Sequence, residues 1–196
     1  MVIREFENIY FDDTAILLAL FRQYLHSFKG IKSPLDIESA CEELNSFIHD
    51  PNYPIFVCLE EQEIIGYMIL KIDGCVWVEQ IYVKENYRRR GVGSAFYEKA
   101  ETISKGDTLF NYVHPNNDAM INFLKSKGYT VLNLIEIRKP FKGEKNKTTI
   151  KVGNNEFDYK GQMCTCVIFD CRASSLYNSR AAQRGGLRAS SKADAV

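Results

Sequence analysis

The run Tyr87-Arg88-Arg89-Arg90-Gly91-Val92-Gly93-Ser94-Ala95 constrains this chain more than any other. Ahead of it, Val76-Trp77-Val78-Glu79-Gln80-Ile81-Tyr82-Val83 alternates with the period of a strand. Behind it, Val92, Ala95, Phe96, Ala100 and Ile103 recur at helical spacing. A strand, a basic turn with two glycines and a helix N-terminus predict an α/β unit whose turn can hold phosphates. Free backbone N–H groups converge at such a helix start, the helix dipole favours negative charge there, and glycine lets a ligand approach the main chain.

The basic turn is a local feature, because the 196-residue chain has zero formal net charge at pH 7. That balance argues against a general attraction to nucleic acid or to an anionic membrane. No apolar run reaches the ~20 residues of a membrane span, and the opening Met1-Val2-Ile3-Arg4-Glu5-Phe6 has no apolar leader segment. The length suits one domain with an adequate core. Of the cysteines, Cys41, Cys58 and Cys75 fall in predicted core elements, where a free thiol packs as a small apolar group. Cys164, Cys166 and Cys171 lack a fourth ligand, so zinc is not expected. A reduced, cytoplasmic setting is the simplest expectation.

The remaining elements follow from periodicity and punctuation. Residues 1–6 alternate as a strand, and residues 12–29 form an amphipathic helix through Leu17, Leu20, Phe21, Tyr24, Leu25 and Phe28. A second helix opens at Ser33-Pro34-Leu35-Asp36, with Ser33 as its expected cap, and buries Ile37, Cys41, Leu44 and Ile48. Residues 53–60, 64–72 and 75–83 read as strands joined by tight turns, the last at Asp73-Gly74. After the glycine turn and its helix come a strand at 108–114, a helix at 119–127 stopped by Gly128, and a strand at 130–138 ended by Pro140. The order β-α-α-β-β-β-α-β-α-β predicts an α/β domain with a mixed, mostly antiparallel sheet over residues 1–140. Residues 141–171 add a C-terminal hairpin around Gly153-Asn154-Asn155, and residues 172–196 read as a disordered tail. That hairpin could extend a sheet across a homodimer.

Two nucleotide motifs fail on inspection. A P-loop needs Lys followed by Ser or Thr after its last glycine, and Ser94-Ala95 stands there. A dinucleotide fingerprint needs a small residue where Phe96 stands. What remains is Arg-x-x-Gly-x-Gly, carried by Arg88, Gly91 and Gly93. It resembles motif A of the GCN5-related N-acetyltransferase (GNAT) superfamily, Gln/Arg-x-x-Gly-x-Gly/Ala. The run from Asn116 and Asn117 through Ala119, Phe123 and Leu124 to Gly128-Tyr129 resembles the family's motif B. The element order agrees over about seven-tenths of the chain.

The resemblance implies acetyl-CoA as co-substrate and no metal. By it, Arg88, Arg89, Arg90, Gly91, Val92, Gly93 and Ser94 ring the pyrophosphate. The strand around Tyr82, through the backbone of Ile81 and Val83, pairs with the pantetheine arm in a gap left by the strand at 108–114. Asn116 and Phe123 stand at the edge of the cofactor, although Asn116 or Asn117 also reads as a helix cap and Phe123 as core.

Acetyl transfer needs a neutral amine, and a lysine-type amine with a pKa of ~10.4 is mostly protonated at pH 7. Glu79 is the candidate base. It matches a glutamate in polyamine-type members, whose strand resembles Val78-Glu79-Gln80-Ile81-Tyr82-Val83. A backbone N–H near Ile81 or Tyr82 would support the oxyanion. The family's usual general acid, a tyrosine, is replaced by Leu124, which leaves Tyr82, Tyr112 and Tyr129 as candidates. A thiol with a pKa of ~8.5 leaves without much help. His114 reads as structural, and Trp77 with Tyr82 as either core or an acceptor wall. The leading expectation is an N-acetyltransferase acting on a primary amine, small or protein-borne, by direct attack in a ternary complex. The alternative is a non-catalytic acyl-CoA sensor. An RNA-binding use of Arg88–Arg90 is disfavoured by the neutral charge.

Overall fold

The computed structural model describes residues 1–140 and 148–159. Five strands, β1 (Val2–Glu5), β2 (Ile55–Glu60), β3 (Glu63–Asp73), β4 (Cys75–Val83) and β5 (Leu109–Asn111), form one sheet in chain order. The first four are antiparallel to their neighbours, and β5 runs parallel to β4. Helices α1 (Phe11–Phe28) and α2 (Ile37–Ile48) bury Ala15, Leu17, Leu18, Ala40, Leu44 and Phe47 with Val57, Ile64, Tyr67 and Ile69 on one face of the sheet. Helix α3 (Val92–Ser104) and helix α4 (Asp118–Ser126) bury Val92, Phe96, Tyr97, Ala100 and Leu124 with Met68, Leu70, Val76 and Val78 on the other. The result is the expected mixed sheet flanked by helices, with each helix placing one apolar stripe on the sheet.

Most expected elements form within a residue or two. Strand β4 and helix α3 begin and end where the sequence predicts, and the hairpin β6 (Thr148–Val152) and β7 (Asn155–Tyr159) is present. No helix among the described residues is long and apolar enough to cross a membrane.

Two local expectations are corrected. Helix α2 is capped by Asp36, whose side chain accepts from Ser39 N–H at 3.0 Å. Ser33 instead pairs its Oγ with His26 Nδ1 at 2.7 Å. Pro34 therefore lies ahead of the helix, and the first free donor falls within reach of the later carboxylate. The strand expected at 130–138 does not form; this stretch has no regular structure and is exposed, with Val131 87% and Leu132 72% accessible. Its apolar residues lack a template to pair with, because β5 is only three residues long. The tail at 172–196 and Cys164, Cys166 and Cys171 lie outside the described residues.

Candidate active site

Strand β4 carries a β-bulge. Gln80 stands opposite Ile69 and Val78 opposite Leu70, so Glu79 has no partner on β3. The surplus residue turns the later half of the strand over. Before it, Val76 and Val78 belong to the core under α3; after it, Ile81 and Val83 pack there while Tyr82 packs beneath α1. Consecutive residues Glu79 and Gln80 consequently both face the side of α1 and α2, where Arg22 and Glu43 lie close enough to act on the Glu79 charge.

The far edge of β4 is open beyond the bulge. Strand β5 pairs only with Val76–Val78 and is absent beside Ile81 and Val83. Lys84 N–H donates to Ile65 C=O at 2.9 Å. By the alternation of an antiparallel ladder, the main-chain groups of Val83 and Ile81 then point away from β3, toward that open edge. This is the splay the resemblance implies.

The open edge runs into the glycine turn. Arg89 and Gly91 adopt left-handed backbone conformations, with φ of 60° and 88°. The second is easy for glycine; the first is uncommon for arginine. Gly91 caps α3 with no side-chain hydrogen bond, whereas α2 and α4 are capped by Asp36 and Asn117. Ala95 N–H is the first in α3 to bond back, to Gly91 C=O at 2.9 Å. The N–H groups of Val92, Gly93 and Ser94 therefore have no intrahelical acceptor. Phe123 of α4 closes one side of the turn: a Cβ on Gly93 would lie 3.5 Å from Phe123 Cζ, so the two sequence motifs touch.

The three arginines separate by direction. Arg88 turns back onto the fold, with Nε donating to Val83 C=O at 2.9 Å and the guanidinium 4.8 Å and 5.4 Å from the ring centres of Tyr24 and Tyr82. Arg90 lies over Tyr87, with Glu60 at 4.0 Å. Arg89 is exposed, and no hydrogen bond or ion pair is seen for it among the described residues. Asn116 is engaged elsewhere: its side chain donates to Phe28 C=O at 2.8 Å and its N–H to His114 Nδ1 at 3.1 Å. The cap of α4 is Asn117, which accepts from Met120 N–H at 3.1 Å.

Among the groups considered for proton transfer, Glu79 stands out. It is half-buried, has no hydrogen-bond partner among the described residues, and its pKa is raised by burial against the opposing pull of Lys71 and Arg22, with Glu43 adding to the rise. Tyr82 is raised by burial, with Arg88 opposing. Leu124 is 7% exposed and belongs to the core under α4. Tyr129 bonds Glu101 at 2.8 Å and is raised by burial and that contact. His114 stacks on Phe28 at 5.7 Å and is held below its usual value by burial, Lys29 and Arg138. Trp77 lies stacked on Phe110 and on the exposed Tyr112, in the same half of β4 as Glu79.

A polar chain that no sequence spacing announces runs from Tyr67 to Arg22. Tyr67 OH donates to Gln80 Oε1 at 2.9 Å, Gln80 Nε2 donates to Glu43 Oε1 at 2.8 Å, and Arg22 closes on both oxygens of Glu43. The only sequence hint was Gln80 itself, an amide where the strand pattern called for an apolar residue. No group of three or more metal-ligating side chains is found among the described residues.

Known proteins show the same architecture. The model of the Acetyltransferase (GNAT) family matches residues 17–129. Among solved structures, the BH1408 protein of Bacillus halodurans, in a mutant form, superimposes with a TM-score of 0.63 at 18% identity, over 72% of this chain and 99% of that one. The aminoglycoside antibiotic 6'-N-acetyltransferase AAC(6')-IG of Acinetobacter haemolyticus gives 0.55 at 15% identity, over 72% of this chain and 100% of that one. AAC(6')-Iy, solved with the bisubstrate analogue CoA-S-monomethyl-acetylneamine, gives 0.53 at 16% identity, over 71% and 98%. No curated protein matches the chain.

Proposed function

We propose that this chain, which belongs to the Acetyltransferase (GNAT) family, transfers the acetyl group of acetyl-CoA to a primary amine by direct attack in a ternary complex. One observation carries the reading: the uncapped start of α3 opens beside the unpaired edge of β4, with Glu79 at the bulge between that edge and the face of α1 and α2. Three free N–H groups and exposed arginines suit a pyrophosphate, and an open strand edge suits the amides of a pantetheine arm. Acetyl-CoA supplies the activated acyl group.

The protein residues then have distinct tasks. Val92, Gly93 and Ser94 hold the diphosphate through their N–H groups, with Gly91 shaping the turn and Arg89 and Arg90 adding charge. The main chain of Ile81 and the N–H of Val83, whose C=O is held by Arg88, align the arm, and Phe123 borders it. An N–H near Ile81 or Tyr82 supports the carbonyl oxygen as the amine attacks. Glu79 takes the proton that the amine loses as its C–N bond forms and the C–S bond breaks. The thiolate leaves unaided or takes a proton from Tyr82; Leu124 sits in the core and supplies none. Asn116 acts indirectly, by fixing the approach to α4. The raised proton affinity of Glu79 moves it toward the range useful to a general base.

The acceptor is a small cationic amine in this reading, since Glu79 is the carboxylate it meets and the aminoglycoside enzymes named above act on small molecules by their names. The buried Leu124 favours the acyl-CoA sensor as the second reading. Calorimetry with acetyl-CoA tests the site. Gly93→Glu is tolerated by the helix, where a first-turn carboxylate is favourable, and it should abolish binding by repelling phosphate. Undiminished affinity rejects the site. Tight binding with no turnover across polyamines, aminoglycosides and N-terminal peptides selects the sensor.

A further inference from the structure

A partly buried polar chain borders Glu79, with the Glu43 and Arg22 side chains 16% and 38% exposed. It joins four elements: Tyr67 from β3, Gln80 from β4, Glu43 from α2 and Arg22 from α1. Tyr67 is fully buried and Gln80 is 5% exposed. Glu43 Oε1 accepts from Gln80 Nε2 at 2.8 Å and from Arg22, and Glu43 Oε2 accepts from Arg22 Nε at 2.8 Å. The partly exposed ion pair contributes little to stability by itself, so holding the core together does not account for the network. Its position is what sets it apart: Gln80 adjoins the bulged Glu79.

We propose that Arg22 and Glu43 are positioning residues for Glu79: the pair clamps Gln80, and with it the bulge, and presents Glu79 with two opposite charges that cancel. This rests on Glu79 acting as the base. The groups facing Glu79 are Arg22 from α1, Glu43 from α2, Lys71 from β3 and the phenol of Tyr53 from the loop before β2. Asp50 and Asp73 face Tyr53 in turn. Within this set Arg22 and Glu43 neutralise one another through a two-point contact, so removing either unmasks the other.

The test is a carboxyl carbon NMR titration of the full chain, with the Glu79 signal assigned by its loss in Glu79→Gln. Glu43→Gln keeps the shape and leaves the Arg22 cation unbalanced, so Glu79 should titrate about one pH unit lower. Arg22→Met leaves the Glu43 carboxylate unbalanced, so Glu79 should titrate about one unit higher. Arg22→Lys keeps the charge and should leave the titration in place. The paired change Arg22→Met with Glu43→Leu should bring it back near the wild-type position. Shifts of one sign in both single variants, or none in either, overturn the inference, as does an Arg22→Lys shift as large as that of Arg22→Met. Should Arg22→Met not fold, the contrast between Glu43→Gln and Arg22→Lys decides. The base assignment is judged separately: an acid limb of kcat/KM that survives in Glu79→Gln removes the base while leaving the charge pairing to the titration.

Discussion

Arg88 donates from Nε to the carbonyl of Val83 at 2.9 Å, and its guanidinium lies against the rings of Tyr24 and Tyr82. The first arginine of the turn thus ties α1 to β4, while Arg89 beside it faces solvent. Their losses should differ in kind. Arg88→Ala should lower stability by about 1–2 kcal/mol, the sum of one hydrogen bond and the cation–ring contacts. Arg89→Ala should leave stability within about 0.5 kcal/mol but weaken acetyl-CoA binding, most of all at low ionic strength. Urea denaturation and calorimetry at two salt concentrations separate the two.

The two glycines of the turn should also behave differently. Gly91 has φ of 88°, and a Cβ there would meet nothing within 4 Å. Gly91→Ala should therefore cost about 1–2 kcal/mol through backbone strain alone. Gly93 has no left-handed backbone, and its Cβ would make an ordinary contact with Phe123. Gly93→Ala should leave the melting temperature nearly unchanged, because the gain in helix propensity opposes any crowding.

Glu79→Gln should lower kcat/KM by about 10²–10⁴-fold and remove the acid limb of its pH profile. The stability effect has the opposite sense. The carboxyl has its pKa raised from the ordinary value of 4.5, mainly by burial. Its stabilising contribution is full below that ordinary value and is lost as pH rises through the raised one. At pH 8 the glutamine variant should therefore melt at or above the wild-type temperature, and below about pH 4 the advantage should vanish. A variant that melts lower at pH 8 would show that the charge is stabilised, contrary to the burial argument.

Leu124 stands where the resemblance implies a tyrosine, and its side chain is packed in the core. Leu124→Ala should cost about 2–5 kcal/mol by leaving a cavity. Leu124→Tyr should cost about 1–3 kcal/mol by overpacking and leave the rate no faster. A faster Leu124→Tyr enzyme would mean that an acid is missing from the native chain.

Periodicity made β4, α3 and their turn legible to the residue, because alternation, two glycines and a helical stripe agreed there. The strand expected at 130–138 shows the limit of pattern. Val131, Leu132, Leu134, Ile135 and Ile137 make the stretch rich in strand-forming apolar residues, yet pairing depends on a neighbouring edge, and β5 ends at Asn111. Several residues ahead of α2 could cap it, Ser33 among them, and only the backbone path selects Asp36. The chain from Tyr67 to Arg22 was unreadable because its members meet through tertiary packing, with no spacing to announce them. Of the site residues, the turn could be placed from sequence, whereas the inward turn of Arg88 depends on Tyr24, far away in the chain.

The surplus residue at position 79 ties the placement of the proposed base to the packing of the core. Straightening the strand with that residue kept would rotate Gln80 and Tyr82 into the oily layer under α3 and push Ile81 and Val83 out beneath α1. No slip of the strand by one step could then alter the reacting end while sparing the interior. If Glu79 is the base proposed above, the hydrophobic interior proofreads its placement, because a strand that misplaces this carboxylate also misplaces its core residues.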